Sequence, residues 1–181
     1  WLRDSYSVPI DFVPFQFYED NGQVFLDVAK IDVAPASKRL PWGGDWFFNT
    51  NETYSPGAFR KMLQHQVIAV YGYPEGEGDR MLNQPAINDR IFAYRNRVGI
   101  IAVGRVTGEE AYPDDSVFAK GDEREFHRDV VWEVQAGQDN AVTAQQSAQW
   151  GYNLPVRSTI CRMYAGEIGN RIADHLRART A

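Results

Sequence analysis

The side chains that most readily carry acid–base or nucleophilic chemistry are few in this sequence and far apart. The histidines and the cysteine are His65, His127, His175 and Cys161. His127 is close to two carboxylates in the sequence, which suggests general acid–base work, although a histidine at a strand edge gives the same spacing. Cys161 precedes an arginine that could lower its thiol pKa, but a lone cysteine is usually a buried core residue. These residues define no catalytic constellation.

Sequence motifs of known catalytic and cofactor sites are also missing. We find no His-Glu-x-x-His, no Cys-x-x-Cys and no Gly-x-Ser-x-Gly pattern. Gly76 and Gly78 are not followed by the Lys-Ser/Thr of a phosphate loop. We therefore expect no metal ion and no cofactor, and the sequence favours a binding protein over an enzyme.

The composition is that of one globular domain of ordinary size. Of the 181 residues, 44% are hydrophobic and 24% are charged, so the chain can bury a sizeable core. Most of the aromatic side chains, 13% of the residues, must serve that core because each carries a large apolar surface. A single cysteine cannot form an internal disulfide, and no apolar run approaches the ~20 residues of a membrane span. We expect a cytoplasmic protein without a membrane partner.

The charge balance argues against a general nucleic-acid coat protein. The net charge is −5, whereas binding to many phosphates needs a basic excess. A local basic face remains open because arginines cluster in one short stretch. They are Arg80, Arg90, Arg95, Arg97 and Arg105. The alternative is a solvated barrel surface.

The elements that must position these residues begin with a hairpin. Residues 12–17 and 24–33 have the β-branched and aromatic content of strands, and Asn21-Gly22 between them is a strong turn signal. We expect a strand and hairpin extension over residues 1–41, packed on a core domain over residues 42–181.

Within the core domain, apolar runs predict short strands and turn residues separate them. The predicted strands cover residues 46–48, 67–71, 90–94, 98–106 and 129–134. Residues 72–88 contain several glycines and prolines and predict a long loop, and residues 155–163 predict an extended or irregular segment.

Three helices are predicted from their starts and their apolar spacing. Ser55-Pro56 predicts an N-cap and first position, with the helix over residues 57–64. Thr143 predicts the cap of a short helix that ends at Trp150. The last helix starts near Gly166, and its predicted inner stripe is Ile168, Ile172 and Leu176. Because strands and helices do not alternate regularly, the expected fold class is α+β.

One short segment carries a family resemblance. Ala111-Tyr112-Pro113-Asp114 closes on Phe118, as a similar segment does in the EVE domain family of the PUA-like superfamily, which is related to YTH and ASCH domains. Asn88-Asp89 and the following apolar strand resemble the Gly-Asp and strand that precede this segment in the family. Residues 98–106 and 129–134 fall where later strands fall, and the resemblance covers roughly residues 42–176.

The resemblance implies a PUA-like small mixed β-barrel with flanking short helices and a pocket between its strands. EVE relatives bind modified bases in DNA, and YTH domains bind methylated adenine in RNA. It therefore implies a DNA or RNA partner that contains a modified base. Such a base must flip out of its stack, and an aromatic cage offsets that cost.

The implied pocket residues lie at the end of the opening strand, at the start of the long loop and in the Tyr-Pro-Asp segment. They are Trp46, Phe48, Asn49, Thr50, Tyr71, Tyr73 and Tyr112. The implied phosphate ligands are Arg80, Arg95 and Arg97. Strand alternation places Trp46 and Phe48 on one face and Phe47 on the other. Plain core packing, or plain surface exposure for the arginines, is the alternative for each.

The chain also departs from the family. Where EVE domains carry Trp-x-Gly-Val-Arg-Asn, it has Val70-Tyr71-Gly72-Tyr73-Pro74 and a long insertion, which leaves the ligand open. Three functions follow. The first is a modified-base reader, such as the specificity part of a restriction or RNA-modification system with a nuclease domain or subunit. The others are an ASCH-type ribonuclease and a protein- or small-ligand-binding module.

Overall fold

The computed structural model describes residues 16–20, 23–27, 44–52, 55–121, 124–164 and 166–180. The chain divides into two units, residues 1–40 and residues 41–181. The predicted boundary after residue 41 and the packing of the extension on the core domain stay predictions.

The first unit contains a two-stranded antiparallel sheet. Strand β1 (Gln16–Asp20) pairs with β2 (Gln23–Asp27), and Asp20 lies opposite Gln23. This register leaves a two-residue connection, as the Asn-Gly pair predicts. Residues 21 and 22 themselves lie outside the described residues. So do residues 12–15 of the first predicted strand and residues 28–33 of the second.

The second unit is built around one mixed sheet, which has seven strands in the described residues. They are β3 (Asp45–Thr50), β4 (Val67–Tyr71), β5 (Arg90–Arg95), β6 (Gly99–Val106), β7 (Tyr112–Pro113), β8 (Glu125–Gln135) and β9 (Ile160–Met163). Their order is β4-β8-β6-β5-β3-β9, and β7 pairs with β8. The β3–β5 pair is parallel, whereas β3–β9 and β5–β6 are antiparallel. The predicted strands are confirmed, although β8 already begins at Glu125.

The described residues also contain short helices that flank the sheet. The α-helices are α1 (Ala58–His65), α2 (Gly78–Leu82), α3 (Ala144–Gln149) and α4 (Gly166–Arg177). Thr143 is confirmed as the cap of α3, because its Oγ1 accepts a hydrogen bond of 3.1 Å from the N–H of Gln146. The predicted inner stripe of α4 is confirmed as well, since Ile168, Ile172 and Leu176 are buried.

The predicted N-cap of α1 at Ser55 is wrong. The cap position is Gly57, which has φ 87 and gives no side-chain hydrogen bond. Instead, Oε1 of Glu52 accepts from the N–H groups of Gly57 at 3.0 Å and Phe59 at 3.2 Å. The carboxylate of Glu52, two residues after β3, thus satisfies two donors at the start of the helix, and its charge suits the helix N-terminus.

The prediction of a continuous loop over residues 72–88 is also wrong, because α2 lies within it. Its glycine and proline content disfavours a helix, but tertiary packing overrides that propensity. Gly78 is buried, and a Cβ at this position would lie 2.9 Å from the ring of Phe126. The missing side chain is therefore what allows α2 to approach β8 closely.

Two groups of buried apolar residues lie on the two faces of the sheet. One group includes Trp46 and Phe48, and the other includes Phe47, Phe92 and Ile172. The predicted alternation along β3 is thereby confirmed. The mixed sheet with short flanking helices confirms the predicted α+β fold class. In the part of the chain that is described, no helix is long and apolar enough to cross a membrane.

Candidate functional site

A cleft of about 290 Å³ opens where β3 and β4 end. Four of the predicted pocket residues line it: Asn49, Thr50, Tyr71 and Tyr73. Phe118, from the loop after β7, and Thr159, just before β9, line it too. Ligand pockets typically measure roughly 300–1,000 Å³, so this cleft suits one small group.

The side-chain amide of Asn49 has an unusual hydrogen-bonding state. Its Nδ2 donates a hydrogen bond of 2.8 Å to the carbonyl of Val156, which fixes the orientation of the amide. Its Oδ1 is buried and has no hydrogen-bond partner within the described residues. Buried polar atoms are almost always paired, so an oriented acceptor without a donor marks a place where a ligand can supply one.

An aromatic wall, formed by Tyr71 and Phe118, stands on the β4 side of the cleft. The ring centroids are 5.8 Å apart and the planes are tilted by 34°. The guanidinium of Arg124 lies 5.6 Å from the centroid of the Tyr71 ring, and its Nη2 is 3.4 Å from the Tyr71 hydroxyl. The wall thus combines apolar ring surface with a positive charge at an exposed position.

Three further hydroxyl groups of the cleft lining, those of Thr50, Tyr73 and Thr159, have contacts within the protein. The hydroxyls of Tyr73 and Thr159 share a hydrogen bond, and the carbonyl of Thr159 accepts from the N–H of Asn49 at 2.7 Å. Oγ1 of Thr50 contacts the sulfur of Met62 at 3.8 Å. The contacts of Asn49 with Val156 and Thr159 hold the end of β3 against residues that lie about a hundred positions later in the chain.

Two predicted pocket residues, Trp46 and Phe48, lie in the core rather than in the cleft lining. Phe48 is 1% exposed and Trp46 is 8% exposed. The indole Nε1 of Trp46 donates to Asp89, so its polar atom already has a protein partner. The structure brings neither ring to the cleft, and their role in binding stays a prediction.

Tyr112, the third predicted residue outside the lining, belongs to a neighbouring cluster on β7 and β8. Its hydroxyl donates to Oδ1 of Asp129 at 2.8 Å, and its ring meets His127 edge-on with centroids 5.9 Å apart. Partial burial, together with the hydrogen bond and negative charge of Asp129 and the charge of Asp114, raises the pKa of Tyr112 to about 12.

The predicted phosphate ligands are spread over different elements. Nε of Arg95 is 2.6 Å from Oε2 of Glu52, so this arginine is engaged in an ion pair. Arg80 is exposed on α2, and Arg97 is exposed in the β5–β6 turn with φ 65. None of the three lines the cleft. Their contact with phosphate stays a prediction.

A buried cluster of Glu125 and His127 lies behind the loop after β7, with Asp114 at its edge. His127 Nε2 is 2.5 Å from Oε1 of Glu125, and its Nδ1 is 3.6 Å from Oδ1 of Asp114. The three residues are close enough to be considered as metal ligands. However, the carboxylates meet opposite nitrogens of the imidazole, and Glu125 also accepts three backbone N–H groups. The three side chains therefore fit a buried hydrogen-bond network better than a metal site.

Sequence reasoning did not select Phe118, Thr159 or Arg124 for the site. Phe118 had a signal, since it closes the Tyr-Pro-Asp segment that carries the resemblance. Thr159 and Arg124 had none, because only strand pairing with β3 and β4 brings Thr159 to the cleft and Arg124 to Tyr71.

Comparison with known proteins gives structural likenesses only. No protein-family model matches the chain, and no curated protein matches it. Solved structures that it is similar to include a hypothetical protein from Leishmania major, with 10% identity, a TM-score of 0.49, and coverage of 75% of this chain and 96% of that one.

Two further solved structures are similar to the chain at the same level. Human THYN1, in complex with DNA containing 5-methylcytosine, has 11% identity and a TM-score of 0.47, over 73% of this chain and 97% of its own. A mutant of ZmASCH from Zymomonas mobilis has 9% identity and a TM-score of 0.46, over 72% and 97%. Similarities with such low identities and TM-scores do not identify a ligand for this chain.

Proposed function

We propose that this chain is a nucleic-acid-binding domain that accommodates one flipped, modified base in the cleft between β3, β4 and the loop after β7. In this role it reads DNA or RNA and leaves any strand cleavage to a nuclease domain or subunit. The observation that carries the proposal is Asn49, whose Oδ1 is a buried, oriented acceptor without a donor.

The amide of Asn49 suits the edge of a base. Bases present N–H donors on their Watson–Crick edges, and a ligand that supplies one satisfies an atom that is otherwise costly to bury. The Nδ2 bond to Val156 prevents the amide from turning, so the acceptor is presented rather than a donor. A ligand edge with only acceptors would meet no partner at this atom.

The aromatic wall supports the flat surface of a base. Flipping a base out of its stack costs a few kcal/mol, least for a base that is already unpaired. Stacking on an aromatic side chain returns ~1–3 kcal/mol per base. One base on the wall of Tyr71 and Phe118 therefore roughly offsets its own extrusion, and the Asn49 contact adds discrimination.

Arg124 supports a phosphate contact close to the base. It is exposed and contacts Tyr71, so a strand with its base on the wall would bring a phosphate near this cation. With a net charge of −5, few such contacts are available, and we expect the affinity to depend on the base more than on the backbone.

The test is a binding titration with short single- and double-stranded DNA and RNA, each with plain or modified cytosine or adenine, at two salt concentrations. We expect tight binding to one modified base, weakened by Tyr71→Leu about tenfold to a hundredfold, the equivalent of ~1–3 kcal/mol of stacking. Tyr71→Phe keeps the ring and is the matched control.

A second pair of variants addresses the acceptor. Asn49→Ala should lower the preference for the favoured base, whereas Asn153→Ala, an exposed asparagine outside the cleft lining, should leave it unchanged. Equal binding of all bases at both salt concentrations would sink the proposal. Cleavage of the RNA during the titration would instead support the ribonuclease alternative.

A further inference from the structure

We infer that Glu125 is a positioning residue for the cleft: its buried carboxylate organises the loop over residues 114–121 and so holds Phe118 in the aromatic wall. This inference rests on the proposed function, because it concerns how the wall that receives the base is kept in place. Glu125 does not itself line the cleft.

The carboxylate of Glu125 is 1% exposed and gathers donors from three successive backbone positions. Oε1 accepts from the N–H of Val117 at 2.8 Å, and Oε2 accepts from the N–H groups of Phe118 at 2.9 Å and Ala119 at 3.1 Å. Successive N–H groups that converge in this way form a concave anion site, which is here filled by a side chain of the same protein. The main chain on both sides of the Phe118 ring is thereby fixed.

The 114–121 loop needs this support because its conformation is unfavourable by itself. Ala119 has φ 55, in the left-handed region that a residue with a Cβ seldom adopts. Further carboxylates bind its two ends: Asp114 accepts from the N–H of Ser116, and Asp115 from those of Lys120 and Gly121. In the middle of the loop, which carries Phe118, Nζ of Lys61 donates to the carbonyl of Val117 at 3.0 Å, and the backbone N–H groups of residues 117–119 have Glu125 as their acceptor.

His127 also contacts the carboxylate of Glu125 and helps to hold it in place. It is also 1% exposed, and its Nε2 lies 2.5 Å from Oε1 of Glu125. Its ring is covered by Tyr112, and its Nδ1 faces Asp114 at 3.6 Å. Oε1 and Oε2 therefore each have two hydrogen-bond partners.

Glu125→Gln is the variant that isolates this role. The amide has nearly the shape of the carboxylate, but one of its two ends is an NH2 group. Whichever end it occupies, that group faces at least one backbone N–H that now points at an acceptor: the N–H of Val117 at one end, or those of Phe118 and Ala119 at the other. Glu133→Gln is the matched control, since Glu133 lies on the same strand, is partly exposed and pairs with Arg105 away from the loop.

The experiment compares wild type, Glu125→Gln and Glu133→Gln by amide hydrogen exchange and by titration. For Glu125→Gln we expect exchange at residues 117–119 to accelerate at least about tenfold while the core strands stay protected. Affinity for the preferred base-containing oligonucleotide should fall at least about fivefold, and affinity for the same oligonucleotide with an abasic position should not change. Glu133→Gln should match wild type in both.

The outcomes separate this inference from the proposed function. Unchanged exchange at residues 117–119, or faster exchange with unchanged base-dependent affinity, would overturn the role of Glu125. If wild type binds the base-containing and abasic oligonucleotides equally, the proposed function fails, and the exchange comparison still decides whether Glu125 orders the loop. Should Glu125→Gln not fold, Glu125→Asp, which keeps the charge but shortens the reach, is measured in the same way, with the same results expected and excluded.

Discussion

The indole Nε1 of Trp46 donates a hydrogen bond of 2.8 Å to Oδ2 of Asp89, 43 residues further along the chain. Asp89 is 2% exposed and also accepts from the N–H groups of Gly44 at 2.7 Å and Ala86 at 2.8 Å. One buried carboxylate thus joins the start of β3 to the segment that leads into β5. Trp46 serves this junction, which accounts for its distance from the cleft.

Asp89→Asn should therefore lower the free energy of unfolding by about 1–3 kcal/mol, because an amide NH2 would face donors that now have an acceptor. Urea unfolding followed by tryptophan fluorescence measures the change. Asp174→Asn is the control, since the Asp174 side chain is 74% exposed in a surface ion pair, and it should shift stability by less than about 0.5 kcal/mol. Equal effects of the two variants on the free energy of unfolding would contradict the stabilising role of Asp89.

Gly169→Ala should destabilise the protein even though alanine is the better helix former. A Cβ at this position of α4 would lie 1.9 Å from Oδ2 of Asp45 and 2.9 Å from Nη2 of Arg90. Asp45 and Arg90 form a bidentate ion pair, in which both hydrogen bonds are 2.7 Å long. We expect a net loss of about 1–3 kcal/mol from overpacking in urea unfolding.

Gly137→Ala is the control for this prediction. Its Cβ would meet no atom within 4 Å, and its φ of −66 suits any residue. Alanine there should leave stability unchanged or raise it by less than about 1 kcal/mol, because it restricts the unfolded chain. If Gly169→Ala behaves like Gly137→Ala, α4 does not depend on the close approach to β3.

Tyr112 should make the protein sensitive to alkaline pH. Its pKa is raised from 10.0 to about 12, so above pH 10 the unfolded chain loses this proton while the folded protein keeps it. The stabilisation is complete below the unfolded pKa and disappears as the pH rises through about 12. Between these values, wild type should lose more stability than Tyr112→Phe in unfolding measurements.

A tyrosinate absorbance titration of Asp129→Asn gives an independent check on Tyr112. The substitution removes the hydrogen-bond partner and its charge, so the pKa of Tyr112 should fall. It should stay above 10.0 because burial is the largest cause of the shift. Identical titrations of wild type and Asp129→Asn would contradict the contribution of the aspartate.

Local patterns in the sequence were sufficient for elements whose signals lie within a few residues. Thr143 as a cap and the stripe of Ile168, Ile172 and Leu176 were predicted correctly because capping and helical periodicity are short-range effects. Helix α2 was missed since its stability comes from the approach of Gly78 to Phe126, 48 positions away by their numbers. The N-cap of α1 was misplaced because Glu52 competes with Ser55 across a turn.

The candidate site shows the same division. Asn49, Thr50, Tyr71 and Tyr73 were selected through the family resemblance, at positions near the ends of two predicted strands. Alternation correctly grouped Trp46 with Phe48, but it could not tell whether their face met a cleft or the core. That depends on what packs against the face, which is decided by distant strands.

The anchoring of Asn49 also has a consequence for how the protein is made. Its backbone and side chain are held by Thr159 and Val156, and β3 is completed on one side by β9, more than a hundred residues later. Contacts of such sequence separation form slowly and cannot form before both segments exist. During synthesis, which proceeds from the N-terminus, the cleft must therefore be assembled only after β9 has left the ribosome. A nascent chain, or one terminated before Val156, would carry the rings of Tyr71 and Phe118 but not the oriented amide on which the proposed selectivity rests.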